Sequence, residues 1–172
     1  EKESLGGVCL NWGCIPTKAL IKSAQVFEYL QHAEDYGLTV KEYDKDFNAV
    51  VNRSRSVAET MSKGVQFLMK KNKIDVISGY GTLLPGKKVH VKTEDGNEQE
   101  LSAQHIIIAT GARSRELPSL PQDGKKVIGY RKAMTLESQP EKLVVVGSGL
   151  ENRLTTHFSA RSHEITGVSA LV

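Results

Sequence analysis

Gly6-Gly7-Val8-Cys9-Leu10-Asn11-Trp12-Gly13-Cys14-Ile15-Pro16-Thr17-Lys18 is the stretch on which the reading of this chain turns. In a regular helix, residues five apart are rotated by about 140°, too far round the axis for two cysteines to bridge. The backbone between Cys9 and Cys14 must therefore be irregular. Gly13 between the cysteines, with Gly6 and Gly7 before them, lets the chain curl tightly, and Pro16 suits the first position of a following helix. Cys14 then falls at a helix N-terminus. The partial positive charge there, helped by Lys18 one turn on, stabilises a thiolate and lowers the cysteine pKa. The expectation is a reactive dithiol, set against the alternative of two buried cysteines that behave as small apolar residues.

Downstream, Ala19, Leu20, Ala24, Phe27, Leu30 and Ala33 recur at three and four residues and predict an amphipathic helix from Pro16 to about Ala33. Gly37 ends it, and a polar link carrying Asp44 and Asp46 follows. A second helix is predicted to about Lys71, with Phe47, Val50, Val51, Val57, Met61, Val65, Leu68 and Met69 as its stripe and Lys70, Lys71 and Lys73 at its basic end. After Asn72 the period shortens, and strands are expected at Ile74 to Ser78, Thr82 to Leu84, Val89 to Lys92, Glu100 to Leu101 and His105 to Ala109. Pro85-Gly86 and Asp95-Gly96-Asn97 are turn formers, which makes a small antiparallel meander of the middle strands.

Ser114 to Gly129, with Pro118, Pro121 and Gly124, reads as a loop, and Arg131 to Glu137 as a short helical turn. Leu143 to Val146 reads as a buried parallel strand entering the glycine turn Gly147-Ser148-Gly149. Beyond Leu150 neither period persists.

Composition bounds the function. The chain has 172 residues, 25% charged and 39% hydrophobic, enough for one ordinary domain or a piece of something larger, and unlike a disordered or collagenous chain. The 23 Lys and Arg against 20 Asp and Glu leave +3, too small and too evenly spread for a nucleic-acid footprint. No apolar run approaches the roughly 18 residues of a membrane span. Two cysteines are too few for a secreted disulfide scaffold, their spacing is not the C-x-x-C of a thioredoxin-like module, and no metal-ligand cluster accompanies them. The chain opens on Glu1 with no leader ahead of it, so the expectation is a cytoplasmic redox protein whose start has been cut off.

The string Gly6 to Lys18 resembles the active-site motif of the class I pyridine nucleotide-disulfide oxidoreductases, the family of dihydrolipoyl dehydrogenase, glutathione reductase and mercuric reductase. Leu10, Ile15, Ala19 and Leu20 resemble the dihydrolipoyl dehydrogenase branch more than that of glutathione reductase. Ile107 to Ala112 is similar to the strand and turn closing the family's flavin domain, and Val144 to Gly149 to the start of its nicotinamide domain. The resemblance implies an α/β fold: a partial FAD-binding Rossmann-like domain with a small antiparallel β-meander over 1–113, a linker over 114–141, the first strand of an NAD-binding domain over 142–150, and an unassigned tail over 151–172.

It also implies roles. Cys9 would be the interchange thiol and Cys14 the sulfur facing the flavin, with Lys18 near the flavin ring. Glu1 would meet the adenosine ribose of FAD, Gly81 would present backbone to the cofactor, and Thr110, Gly111 and Ala112 would close the flavin site. Gly147 and Gly149 would begin the NAD site. Electrons would pass from a dihydrolipoyl dithiol through the cysteine pair and FAD to NAD, with dihydrolipoyl groups of 2-oxo acid dehydrogenase complexes as partners and a homodimer as the full-length form; neither nucleic acid nor membrane is a partner. Departures from the pattern are the glycine-rich loop expected ahead of Glu1, Asn152 at the third glycine position, and the interface domain that supplies a catalytic histidine. His157 and His163 sit in a tail without matching pattern, His105 reads as structural, and His32 and His90 carry no signal. The expectation is an internal fragment that binds FAD poorly and does not turn over, against the alternatives of another disulfide reductase of the glutathione or mercuric reductase type, or of a non-catalytic remnant. Trp12 departs from the family motif, and is expected to shape the disulfide loop or stack near the cofactor.

Overall fold

A single glycine divides the first helical stretch in two. In the computed structural model, which describes residues 1–146, α1 (Gly7–Trp12) stops at Gly13 and α2 (Cys14–Gln31) restarts on the next residue. Cys14, not Pro16, is therefore the first helical residue; Pro16 lies two residues further in and is fully buried. A 3-10 turn, Ala33–Tyr36, follows, and Gly37 closes it with φ 70°, its N–H donating to Glu34 O at 2.9 Å.

The second long helix, α3 (Phe47–Lys71), has the predicted bounds because both ends are specified locally. Asp46 caps it, Oδ1 accepting the Ala49 N–H at 3.0 Å, and Lys70 and Lys71 complement the dipole at its end. Its buried line is Val51, Ser54, Ala58 and Ser62. The expected apolar stripe is only partly the covered face: Met61 and Leu68, both assigned to it, are about half exposed. Small residues at spacings of three and four let α3 lie close on α2, and close backbone approach buries more per residue than a large side chain held at a distance. Ser54 is wholly buried and spends its hydroxyl on Val51 O at 2.7 Å.

The meander forms as expected. Strands β1 (Tyr80–Leu84), β2 (Lys88–Lys92) and β3 (Glu98–Ser102) pair antiparallel in sequence order, in register from Tyr80 opposite Lys92 and from Lys88 opposite Ser102. Gly86 and Gly96, at φ 77° and 80°, make the two turns. Val91 on the central strand is buried, while Lys88–Glu100 (2.6 Å) and Lys92–Glu98 (3.4 Å) pair across the open face.

Three expected strands differ. Ile74 to Ser78, His105 to Ala109 (the closing strand) and 142–145 (the start of the NAD-domain strand) join no ladder among the described residues. Their apolar runs are the signature of strands covered on both faces, but a strand needs a neighbour to bond with. Ile107 is 91% exposed, and Val144, expected to be buried, is 56% exposed. A rung lies beside Glu1: its N-terminal amine donates to Ile77 O at 3.2 Å, and Gly79 N–H donates to Glu1 O at 2.9 Å, the bonding pattern of a parallel pair. The expected helical turn near Arg131 is α4 (Tyr130–Ala133). No helix among the described residues is long and apolar enough to cross a membrane. Gly147, Gly149, Asn152, His157 and His163 lie outside the described residues.

Ala58→Leu, on the buried line of α3 at 1% exposure, is expected to lower stability by about 1–3 kcal/mol through overpacking. Phe67→Gln, at a side chain 63% exposed, should stay within about 0.5 kcal/mol, both read by urea denaturation followed by circular dichroism.

Candidate active site

The cysteine pair is built by the break between α1 and α2. Gly13 leaves the helical region (φ −133°, ψ −114°), and a Cβ placed on it would lie 3.0 Å from Val8 O and 3.1 Å from Cys9 Cα. Only a residue without a side chain lets the start of α2 press against the Val8–Cys9 peptide. Cys9 and Cys14 are thereby folded onto one another instead of being splayed around a continuous helix. The first α2 hydrogen bond, Thr17 N–H to Gly13 O at 3.1 Å, starts from the same residue.

The other side of the loop is held by Asn11, which is buried. Its Nδ2 donates to Leu5 O and to Gly7 O, both at 2.9 Å, tying the end of α1 to its beginning. From α3, Arg53 Nη1 donates to Ala19 O at 2.9 Å, and Arg55 Nη2 to Asn11 O at 2.6 Å. The Arg55 guanidinium also stacks on Trp12 with 4.1 Å to the ring centroid, and Arg131 of α4 approaches the same ring at 5.3 Å. Such cation–π contacts contribute about 0.5–2 kcal/mol each, more as water is excluded. Arg131 is in turn paired with Glu3 at 2.9 Å, and Thr17 Oγ1 donates to Met134 Sδ at 3.5 Å. The stretch expected to be a linker thus docks on the cysteine loop.

Both cysteines are free thiols and exposed. The Cys9 thiol is pushed above its ordinary value, first by its hydrogen bond with the Cys14 side chain, then by desolvation and by the charge Cys14 carries when ionised; Lys18 pulls the other way. Cys9 and Cys14 thus lie close enough for the two thiols to influence each other. Burial alone draws Arg55 down from its ordinary value, though a guanidinium stays charged.

The residues expected around a cofactor are dispersed. Glu1 lines a cleft of about 660 Å³ with Glu3, Ser4, Leu5, Gln66 and Val76 among its walls. Its carboxyl is held below the usual range, chiefly by the Glu3 N–H, which donates to Oε1 at 3.0 Å, so it is ionised in neutral solution. Gly81 lies exposed in β1, two residues beyond the Glu1–Gly79 contact. Lys18 is exposed on α2, one turn after Cys14. Thr110, Gly111 and Ala112 are exposed, outside any regular element, and form no hydrogen bond to other described residues.

Arg55, Glu3 and Met134 had no part in the sequence reading, and Arg131 entered it only as the start of a helical turn. Arg55 and Arg131 reach the loop from 44 and 119 positions away in the chain, with no local pattern to announce it. Trp12 was the available signal, since a large aromatic inside a glycine-rich turn needs something to cover its faces.

Residues 3–151 match the sequence pattern of the family described as pyridine nucleotide-disulphide oxidoreductase. Among curated relatives, a dihydrolipoyl dehydrogenase of Zymomonas mobilis is 49% identical over 149 residues, covering 87% of this chain and 32% of the relative. One of Chlorobaculum parvum gives the same identity and coverage, and the mitochondrial dihydrolipoyl dehydrogenase 1 of Arabidopsis thaliana is 35% identical over 87% of this chain and 30% of its own length. The chain spans about a third of the length of the curated relatives it matches. In fold it is similar to the crystal structure of LpdA from Mycobacterium tuberculosis, with a TM-score of 0.89 at 24% identity, covering 98% of this chain and 38% of that one. A flavin-domain α/β segment, a cysteine pair folded across a glycine break and a match spanning most of the sequence lead to one conclusion: this chain belongs to the pyridine nucleotide-disulphide oxidoreductase family.

Proposed function

We propose that this chain carries the disulfide centre and part of the flavin domain of a dihydrolipoyl dehydrogenase, working in the cytoplasm on dihydrolipoyl groups of 2-oxo acid dehydrogenase complexes, with a homodimer as the full-length form. The observation that carries this reading is the approach of Cys9 and Cys14 across Gly13, both open to solvent. Two thiols so placed can join with loss of two electrons and two protons, and a dihydrolipoyl dithiol can reverse that step. One substrate thiolate attacks Cys9 of the closed pair, Cys14 leaves as thiolate, and the second substrate thiol displaces Cys9 to close the lipoyl ring. The substrate is oxidised and the pair reduced, with the two substrate protons passing to the protein thiols.

FAD, when bound, would supply the acceptor for that electron pair, and NAD the onward acceptor. Toward FAD, the ionised Glu1 carboxylate in its cleft fits the hydroxyls of a ribose, and the exposed Lys18 cation fits the charge of a reduced flavin. Gly81, Thr110, Gly111 and Ala112 complete the proposed flavin contacts, and Gly147 and Gly149 the proposed NAD contact.

The test is a thiol count. After oxidation with diamide and desalting, the full chain incubated with dihydrolipoamide is expected to regain two thiols, while glutathione at equal thiol concentration does so more slowly. Cys9→Ser and Cys14→Ser chains should regain none, and a wild-type chain whose thiols diamide leaves free would end the proposal.

Cys9 acidity gives a second check. Its pKa is raised above the ordinary value of 9.0, so Cys9 ionises at higher pH than a free thiol. In Cys14→Ala the largest cause of the rise is gone, and the midpoint of Cys9 alkylation by iodoacetamide should move to lower pH. In Lys18→Met, with Cys14 present, it should move to higher pH.

A further inference from the structure

We propose that Trp12, contacted by Arg55 and Arg131, is the positioning residue of the cysteine pair, fixing the last turn of α1 so that Cys9 meets Cys14 across Gly13. The proposal rests on the redox reading above and goes beyond it by naming what holds the pair in register.

Trp12 is the last residue of α1, three beyond Cys9 and two before Cys14, so where its ring is held bears on the course of the backbone that joins the two cysteines. Arg55 grips this turn twice: it stacks on the indole at 4.1 Å, and it donates through Nη2 to Asn11 O at 2.6 Å. A planar guanidinium can do both at once, which an ammonium cannot. Its Nη1 is buried without an oxygen acceptor among the described residues, so the π face of Trp12 is what faces that charge in place of water. Arg55 itself follows Ser54, which is wholly buried, and so is set on the rigid side of α3.

Arg131 lies against the same ring at 5.3 Å, and is tethered to Glu3 at 2.9 Å and to Tyr130 Oη at 3.3 Å. The loop is thus clamped from two elements that are remote in sequence. Neither arginine is hydrogen-bonded to a cysteine, so their effect on the sulfurs passes through Trp12 and the Asn11 carbonyl. An aliphatic residue at position 12 would fill space but leave both guanidinium groups without a π face.

The clamp is tested by the dithiol–disulfide equilibrium of the full 172-residue chain in dithiothreitol redox buffers, with the unfolding midpoint measured alongside. Trp12→Leu is expected to disfavour the closed pair by about tenfold, and Trp12→Phe to hold within about threefold of wild type, because misplacement of reacting groups costs rate and equilibrium steeply. Arg55→Met, which keeps α3 helical, should reproduce the Trp12→Leu shift, and Arg131→Gln should give a smaller one in the same direction. Trp12 is the single tryptophan, so its emission follows closing in the wild type, and thiol counting serves the variants that lack it.

A Trp12→Leu or Arg55→Met chain that keeps the wild-type equilibrium constant, even with a lowered unfolding midpoint, reduces the clamp to packing and overturns the inference alone. A wild-type chain whose cysteines do not join in these buffers overturns the redox reading, and the inference with it.

Discussion

Everything about the site follows from how near two backbones can come at one residue. Gly13 lies against the Val8–Cys9 peptide at distances that a methyl group would already crowd. Because that approach is made, α2 restarts immediately after α1, the cysteines face each other, and the α2 N-terminus and Lys18 lie on the side of the second sulfur. Asn11 and Arg55 secure the geometry from the α1 side, using a buried amide and a stacked guanidinium where the glycine can offer no side chain. The pair is loosely exposed yet firmly held, a combination suited to a group that must meet a substrate without losing its partner.

The energetic foundation beneath this loop is modest. Three helices supply most of the covered surface, and their contact relies on alanine and serine instead of large apolar side chains. Close approach then depends on shape, so hydroxyls such as that of Ser54 must be satisfied within their own helix. The meander is organised differently, around Val91 and charge pairs that remain in solvent and contribute little individually.

Local instructions were legible in the sequence, and relations between distant residues were not. The bounds of α3 could be read because Asp46 and the terminal lysines act within one turn, and the meander because Gly86 and Gly96 set its turns. The irregular join between the cysteines followed from their spacing alone. The covered face of α3 was misjudged because hydropathy ranks Met61 above Ser62, whereas packing favoured the smaller residue. The segments at 74–78, 105–109 and 142–145 carry the pattern of buried strands, but whether a strand forms depends on a neighbour that no local pattern supplies. Arg55 and Arg131 belong to the same category: each looks like an ordinary surface cation until the fold brings it to Trp12.

The rung between Glu1 and the Ile77–Gly79 backbone has a colloidal consequence. One bonded pair sets the direction of a sheet beside Ile74 and Val76, which are both about half exposed. Such a margin is a template: it captures whatever extended backbone arrives first, and with identical molecules at high concentration that backbone is another copy's.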